Sequence, residues 1–413
     1  MAFHSYLAKL FFAVVLATAA SGRAETLEQM IAESLRNNPE LRVLERSIAS
    51  ANGGVTTART LANPELSLAP GLRRTREGGD RTTEFHGEIS LSQLFKFPGK
   101  RALEIAIAQR NVELAQLARE AFQFQLSARV RRAYFEMIAG QQIVAARSDQ
   151  AGSARSFVES ARKRVEAGYG SDFESVKSQA EQIAANKALL EAEGRVNAAR
   201  VDLNALMGRR PDASLAVSGS LQNVQPRGSR TDFIALALAR NPAIRTQERL
   251  AELAGLQLRS TRVGRHPDIA VGPSVEYVRD EQTFGLDATL ALPLWDRKAG
   301  EIATATAEQQ KALAEIEKTR AEVLAEVTKA SAALESAKKQ LALYSPEFLD
   351  SLKSFTAQAE QGYAQNTTTL LIYLDAKRTY FDTRADYYEA LANVAHHRAA
   401  LESAVGVPLD LTP

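Results

Sequence analysis

Glu84, His86 and Glu88 alternate along the chain, and of all its residues they come nearest to a metal-binding pattern. On an extended strand, residues two apart share a face, so the three side chains would stand together. The other four histidines are placed differently: His4 lies near the N-terminus, His266 precedes a proline, and His396 and His397 are adjacent. Adjacent residues on a helix project about 100° apart, and no histidine pair has the i,i+4 spacing of a helical metal site. There is no cysteine, so disulfides, thiolate ligands and a cysteine nucleophile are excluded. The sequence contains no GxSxG, Walker loop or HExxH motif. Its charged residues fall mainly in helical segments, where i,i+4 pairing and solvation account for them. Ordinary surface histidines are favoured, and neither an enzyme, a metal site nor a cofactor is expected.

The elements that carry these residues are more informative. Over residues 83–94, Phe85, Gly87, Ile89 and Leu91 oppose Glu84, His86, Glu88, Ser90 and Ser92. Over 282–292, Phe284, Leu286, Ala288, Leu290 and Leu292 oppose Gly285, Asp287 and Thr289. A strand over 64–70 and another over 267–278 complete the set, the latter with a bulge expected at Gly272-Pro273. GLRRTREGGDRT (71–82) reads as a polar link between the first two strands. Strands of about ten residues with one apolar face suit a barrel wall in lipid, with Glu84, His86, Glu88 and Asp287 facing the lumen. A half-buried soluble sheet would alternate in the same way. Known membrane barrels need about eight strands, so closure would take several copies. Phe97 and Trp295 follow the last strand of each pair, where aromatic rings settle at a membrane–water boundary.

Export is expected from the N-terminus. Lys9, the apolar run Leu10–Ala20 and Gly22-Arg23-Ala24 form a signal peptide over residues 1–24, with cleavage after Ala19 or Ala20 as the alternative. The run is too short for a membrane anchor. Cleavage before Glu25 removes Lys9 and Arg23 and leaves 49 basic against 49 acidic residues. With no long basic stripe, nucleic acid is not an expected partner. Without cysteine, an N-terminal lipid anchor on that residue is not expected either. Beyond the signal no apolar run reaches 18 residues, so any membrane crossing would use strands.

An internal repeat organises the rest. MIAESLRNNPELRVLERSIA (30–49) matches FIALALARNPAIRTQERLAE (233–252), pairing Asn38-Pro39 with Asn241-Pro242 at an offset of 203. Phe97 pairs with Trp295, and Gly208 with Gly406, at 198. The expected units are a first repeat over 25–208, a linker over 209–230, a second repeat over 231–408 and a tail over 409–413. Each repeat has helices (26–61, 231–264), two strands, a long helical stretch (100–168, 298–363) and a return helix (172–207, 367–406). Val323, Ala330 and Ala337 interleave with Val327, Leu334 and Leu341 as a coiled-coil seam. About 65 helical residues span ~100 Å, far beyond a compact domain. Pro346 marks a break in the second long stretch, and Gly152 is expected to mark its equivalent. At the far end, 167–180 is matched to 365–376 at 196, pairing Gly170 with Asn366 as left-handed termini and Ser171 with Thr367 as N-caps.

In order and in duplicate, the Asn-Pro helices, LFKFPGKR, LPLWDRKAGEIA and the two hairpin tips give a sequence that resembles the outer membrane factors, the TolC-like exit ducts, across the whole mature chain. Within them it is most similar to the CzcC-type branch for cobalt, zinc and cadmium. The resemblance implies a mainly α fold with a small β part: four strands per chain, one-third of a twelve-stranded trimeric barrel, continued by a long helical periplasmic tunnel. It implies a homotrimer in outer membrane lipid, docked to a periplasmic membrane-fusion adaptor and through it to an inner-membrane RND pump. The tips, Gly168, Tyr169, Gly170, Ser171, Gln365, Asn366 and Thr367, would contact the adaptor. Asp375 would ring the periplasmic aperture with carboxylates, or is a solvated helix residue; Ile372 stands where some members carry a second aspartate, with Val176 taken as its first-half equivalent. A duct for organic compounds or type I protein secretion, and a soluble periplasmic coiled-coil scaffold or adaptor, remain as alternatives.

Overall fold

The computed structural model describes residues 24–77, 80–168, 170–219, 221, 228–278 and 281–409, so the signal segment lies outside the described residues. The first repeat contains α1 (Leu27–Asn37), α2 (Pro39–Arg59), β1 (Glu65–Glu77), β2 (Asp80–Phe95), α3 (Lys100–Glu166) and α4 (Asp172–Leu206). The second contains α5 (Arg230–Arg240), α6 (Pro242–Gly264), β3 (Ile269–Val278), β4 (Glu281–Leu290), α7 (Ala299–Leu341), α8 (Pro346–Ala364) and α9 (Leu370–Val405). All four strands form one antiparallel sheet in chain order, so the β2–β3 pairing joins the two repeats.

The Asn-Pro motif closes each repeat on itself. Proline at the first helical position loses no hydrogen bond, and asparagine caps the free N–H groups. Asn38 Oδ1 accepts from Glu40 N at 2.9 Å, and Asn241 Oδ1 accepts from Ala243 N at 2.8 Å. Their amides reach the far end of the same repeat: Asn38 Nδ2 donates to Leu206 O at 3.1 Å, and Asn241 Nδ2 to Ala404 O at 2.8 Å. Gly208 (φ 70°) and Gly406 (φ 86°) turn the chain out in the left-handed region. A Cβ on Gly406 would lie 2.5 Å from Pro242 Cδ, so only glycine fits there.

Two cores follow the repeats. Met30, Leu126, Val130, Met137, Leu203 and Met207 fill the first, with Leu221 of the linker against them. The α7 seam fills the second: Val323, Val327, Ala330, Leu334 and Ala337 are buried and Leu341 packs beside them, against Phe233, Ile244, Val394 and Leu401. Beneath them α9 is tied to α3 by a buried ionic cluster, in which Glu402 accepts from Arg398 at 3.2 Å with Arg131 at 3.5 Å.

Three local expectations are corrected. Helix α3 runs unbroken past Gly152, whereas α7 and α8 separate at Pro346, capped by Ser345. An interior glycine costs a helix about 1 kcal/mol, while proline also removes a hydrogen bond and clashes with the preceding turn. Most of the expected polar link at 71–82 is strand: β1 continues to Glu77 and β2 begins at Asp80. Polarity there did not mark a loop, since the paired strands run to Glu77 and from Asp80. Gly272-Pro273 is not a bulge, because Ser90↔Ser274 and Gln93↔Val271 hold one register on either side. The ladder merely skips a proline that has no N–H, and Gly272 lets the Leu91 backbone come close.

Candidate functional site: the sheet and the hairpin tips

At one end the sheet sorts its faces. Leu66, Leu68, Leu72, Phe85, Ile89, Phe284, Leu286 and Leu290 are exposed on one side. Glu84, His86, Glu88 and Asp287 share the other, paired in register with Arg73, Gly71, Ala69 and Gly272. Glu276 joins them, opposite Glu88 and with Oε1 3.6 Å from His86 Nδ1. It hides in the sequence between Val275 and Tyr277, whose alternation was the available signal. Among the described residues, no group of three or more His, Cys, Asp or Glu side chains is placed so that it could hold a metal ion. No described helix is long and apolar enough to cross a membrane.

Phe97 and Trp295 occupy equivalent places with different surroundings. Trp295 is 92% exposed beside exposed Leu292 and Leu294. Phe97 is 37% exposed and stacks on His266, ring centroids 4.4 Å apart. Asp268 accepts from Phe97 N at 2.7 Å and from Lys100 Nζ at 2.8 Å. Burial opposes its charge, but Lys100 and the Phe97 N–H outweigh that and hold its carboxyl below the usual range.

The opposite end is the pair of helical tips, and here the sequence alignment was two residues out. The left-handed residues are Gly168 (φ 75°) and Asn366 (φ 59°), not Gly170. The N-caps are Ser171 and Thr369, not Thr367, whose hydroxyl instead donates to Gly362 O at 3.0 Å. Gly170 N donates to Arg164 O and Thr368 N to Gly362 O, the same turn in both copies. Every pair lies 198 apart, the offset of Phe97 and Trp295. The first-half equivalent of Asp375 is therefore Lys177, and that of Ile372 is Glu174 and not Val176. Gln365 is the C-cap of α8, and Tyr169 lies outside the described residues.

The hairpins are tied together above the tips by groups that the sequence did not single out. Tyr363 donates to Glu174, and Arg164 donates to Asn366 Oδ1 at 3.1 Å while lying 5.2 Å over the Tyr363 ring. Tyr363 stacks on Tyr373 at 5.1 Å, and Phe157 approaches Tyr373 at 5.4 Å. Burial pushes the Tyr363 hydroxyl up, and Glu174 adds to it. Burial, then Glu360, pushes Tyr373 up to about 12. Asp375 is exposed on α9, on the far side from buried Tyr373 and Ala376.

A face-sorted sheet at one end of paired helices of ~100 Å, in two copies, is the architecture the sequence resemblance implied. The sequence matches the family described as outer membrane efflux protein over residues 30–209 and 233–407. The chain belongs to this family. Among its relatives, the cobalt-zinc-cadmium resistance protein CzcC of Cupriavidus metallidurans is 25% identical over 388 residues, covering 92% of this chain and 90% of that protein. The nickel-cobalt-cadmium resistance protein NccC of Alcaligenes xylosoxydans xylosoxydans is 27% identical over 322 residues, covering 76% and 69%. The solved structure of CusC superposes with a TM-score of 0.77 at 17% identity, covering 92% of each chain, which establishes a TolC-like fold. As an outer membrane efflux protein the chain is a channel and not an enzyme.

Proposed function

We propose that this outer membrane efflux protein is one of three protomers of an exit duct for divalent heavy-metal cations. The carrying observation is the sheet: apolar on one face, acidic on the other, with β1 and β4 left as unpaired edges. Open edges bearing exposed leucines aggregate unless they pair, and four strands cannot close alone. Three copies joined β4 to β1 would give twelve strands, with Glu84, His86, Glu88, Glu276 and Asp287 lining the lumen. Trp295 and Phe97 would mark the periplasmic membrane boundary. The helices continue the tube inward, the tips at Gly168–Ser171 and Gln365–Thr367 meet a periplasmic adaptor, and an RND pump behind it supplies the energy. Asp375 would present three carboxylates at the aperture, attractive to cations. A cleaved signal peptide completes the reading.

The cargo reading is supported by the metal-resistance relatives. Its test is growth of a deletion strain, with and without complementation, on zinc, cobalt, cadmium, nickel, copper and silver beside detergents, bile salts and antibiotics. Hypersensitivity confined to divalent metals is expected. Hypersensitivity to organic compounds with normal metal tolerance would overturn the cargo and leave the duct. An Asp375→Asn protein in planar bilayers should show a weaker cation preference without losing conductance; unchanged selectivity would remove Asp375 from the aperture.

A further inference from the structure

Where strands give way to helices, the chain crosses one level four times. Phe95, Ile269 and Leu290 stand in register at the foot of the sheet, and contacts just beneath draw the crossings together. Phe97 stacks on His266, Lys100 binds Asp268, Lys298 lies beside Gly264, and an Arg101 N–H donates to the Arg59 carbonyl. Every crossing brings at least one exposed arginine to this collar. Arg59 ends α2, Arg101 is in the first turn of α3, Arg262 and Arg265 close α6, and Arg297 precedes α7. None of the five makes an ion pair among the described residues. Lysines hold the carboxylates nearby: Lys96 that of Glu104 at 2.6 Å, Lys100 that of Asp268 at 2.8 Å and Lys298 that of Glu301 at 3.0 Å. The duplication repeats the arrangement, since Arg59 falls on Arg262 at the 203 offset and Lys100 on Lys298 at 198.

We propose that this collar seats the phosphate groups of anionic glycerophospholipids in the membrane leaflet next to the helices. The apolar residues beside the arginines favour that occupant. Leu61, Leu292, Leu294 and Trp295 are 62, 64, 59 and 92% exposed. Water against such a band is unfavourable, whereas acyl chains would cover it and bring the leaflet's phosphates level with the arginines. Arg59 stands two residues from Leu61, and Arg297 two from Trp295, so one lipid can meet both kinds of contact. The planar guanidinium pairs with a phosphate through two parallel N–H bonds and stays charged at any ordinary pH. Phosphatidylglycerol carries a net negative charge that the ammonium of phosphatidylcholine cancels, so the anionic lipid is the better fit. This rests on the duct reading above and adds the lipid chemistry of its periplasmic boundary.

Full-length protein extracted in nonionic detergent would be heated with phosphatidylglycerol, phosphatidylcholine or inorganic phosphate at equal phosphorus, with unfolding followed by circular dichroism. Phosphatidylglycerol should raise the midpoint by several degrees, and the other two should not. The double variant Arg262→Gln with Arg297→Gln should lose most of that shift. Arg155→Gln, exposed far along α3, should keep it. Each midpoint is compared with that of the same protein without lipid, which separates weaker binding from weaker folding. Native mass spectrometry gives a second reading, and the double variant should retain fewer phosphatidylglycerol molecules. An equal shift in the double variant, or an equal response to phosphatidylcholine or phosphate, would overturn the collar and leave the duct. Wild-type protein recovered from the soluble periplasmic fraction and not from the outer membrane would overturn both.

Discussion

Tyr363 and Tyr373 bind the two hairpins through hydroxyls that hold their protons unusually well. Tyr363→Phe removes the bond to Glu174 and should weaken the tie by about 1–2 kcal/mol after solvent screening. Limited proteolysis should then cut faster near Asn366. The Tyr373 shift carries a pH signature. With its ordinary value near 10 raised to about 12, its contribution is complete below pH 10 and is lost as pH climbs from 10 toward 12. Tip protection against protease should fall across that window, and the Tyr373→Phe protein should show less of the fall. None of this tie was legible in the sequence, because Tyr363 and Glu174 stand 189 residues apart and the tip motif that holds Glu174 says nothing of its partner. The shared face of Glu84, His86, Glu88 and Asp287 was legible, since alternation alone assigns a face.

Helix and strand ends are where local chemistry decided the outcome. Asn241→Ala deletes a cap and strands the Ala404 carbonyl, a loss of about 2–3 kcal/mol. The urea midpoint of the helical signal should drop accordingly, while Lys187→Ala on an exposed face should shift stability by less than about 0.5 kcal/mol. Gly272→Ala would drive a Cβ into the Leu91 carbonyl oxygen and should prevent assembly of the sheet, read as loss of multimers resistant to detergent. Asn-Pro and the two C-terminal glycines were visible as repeat markers, but their bond across more than 160 residues was not. The tip alignment erred for a related reason: glycine and asparagine resemblance placed Gly170 against Asn366, whereas backbone conformation pairs Gly168 with it.

At the scale of the whole chain, the sheet presents an apolar face and a polar one. Phe284→Arg on the apolar face should cost about 2–4 kcal/mol at mid-membrane and abolish insertion, measured as recovery in outer membranes. Asp287→Asn on the opposite face should insert normally. The division was readable because a period of two leaves a strong trace in four short segments.

Over residues 97–208 of the first copy and 295–406 of the second the offset stays at 198, and the drift from 203 lies before Phe97 and Trp295. The hairpins therefore act as a matched pair of rulers. Seven residues added to each arm of one hairpin alone would push its turn ~10 Å past the other, leaving the end of the tube uneven. The same addition to both hairpins at equivalent points would lengthen the tube and keep its rim level. Extensions of this protein should survive in pairs, and a chain lengthened in one hairpin should regain function when the second is lengthened to match.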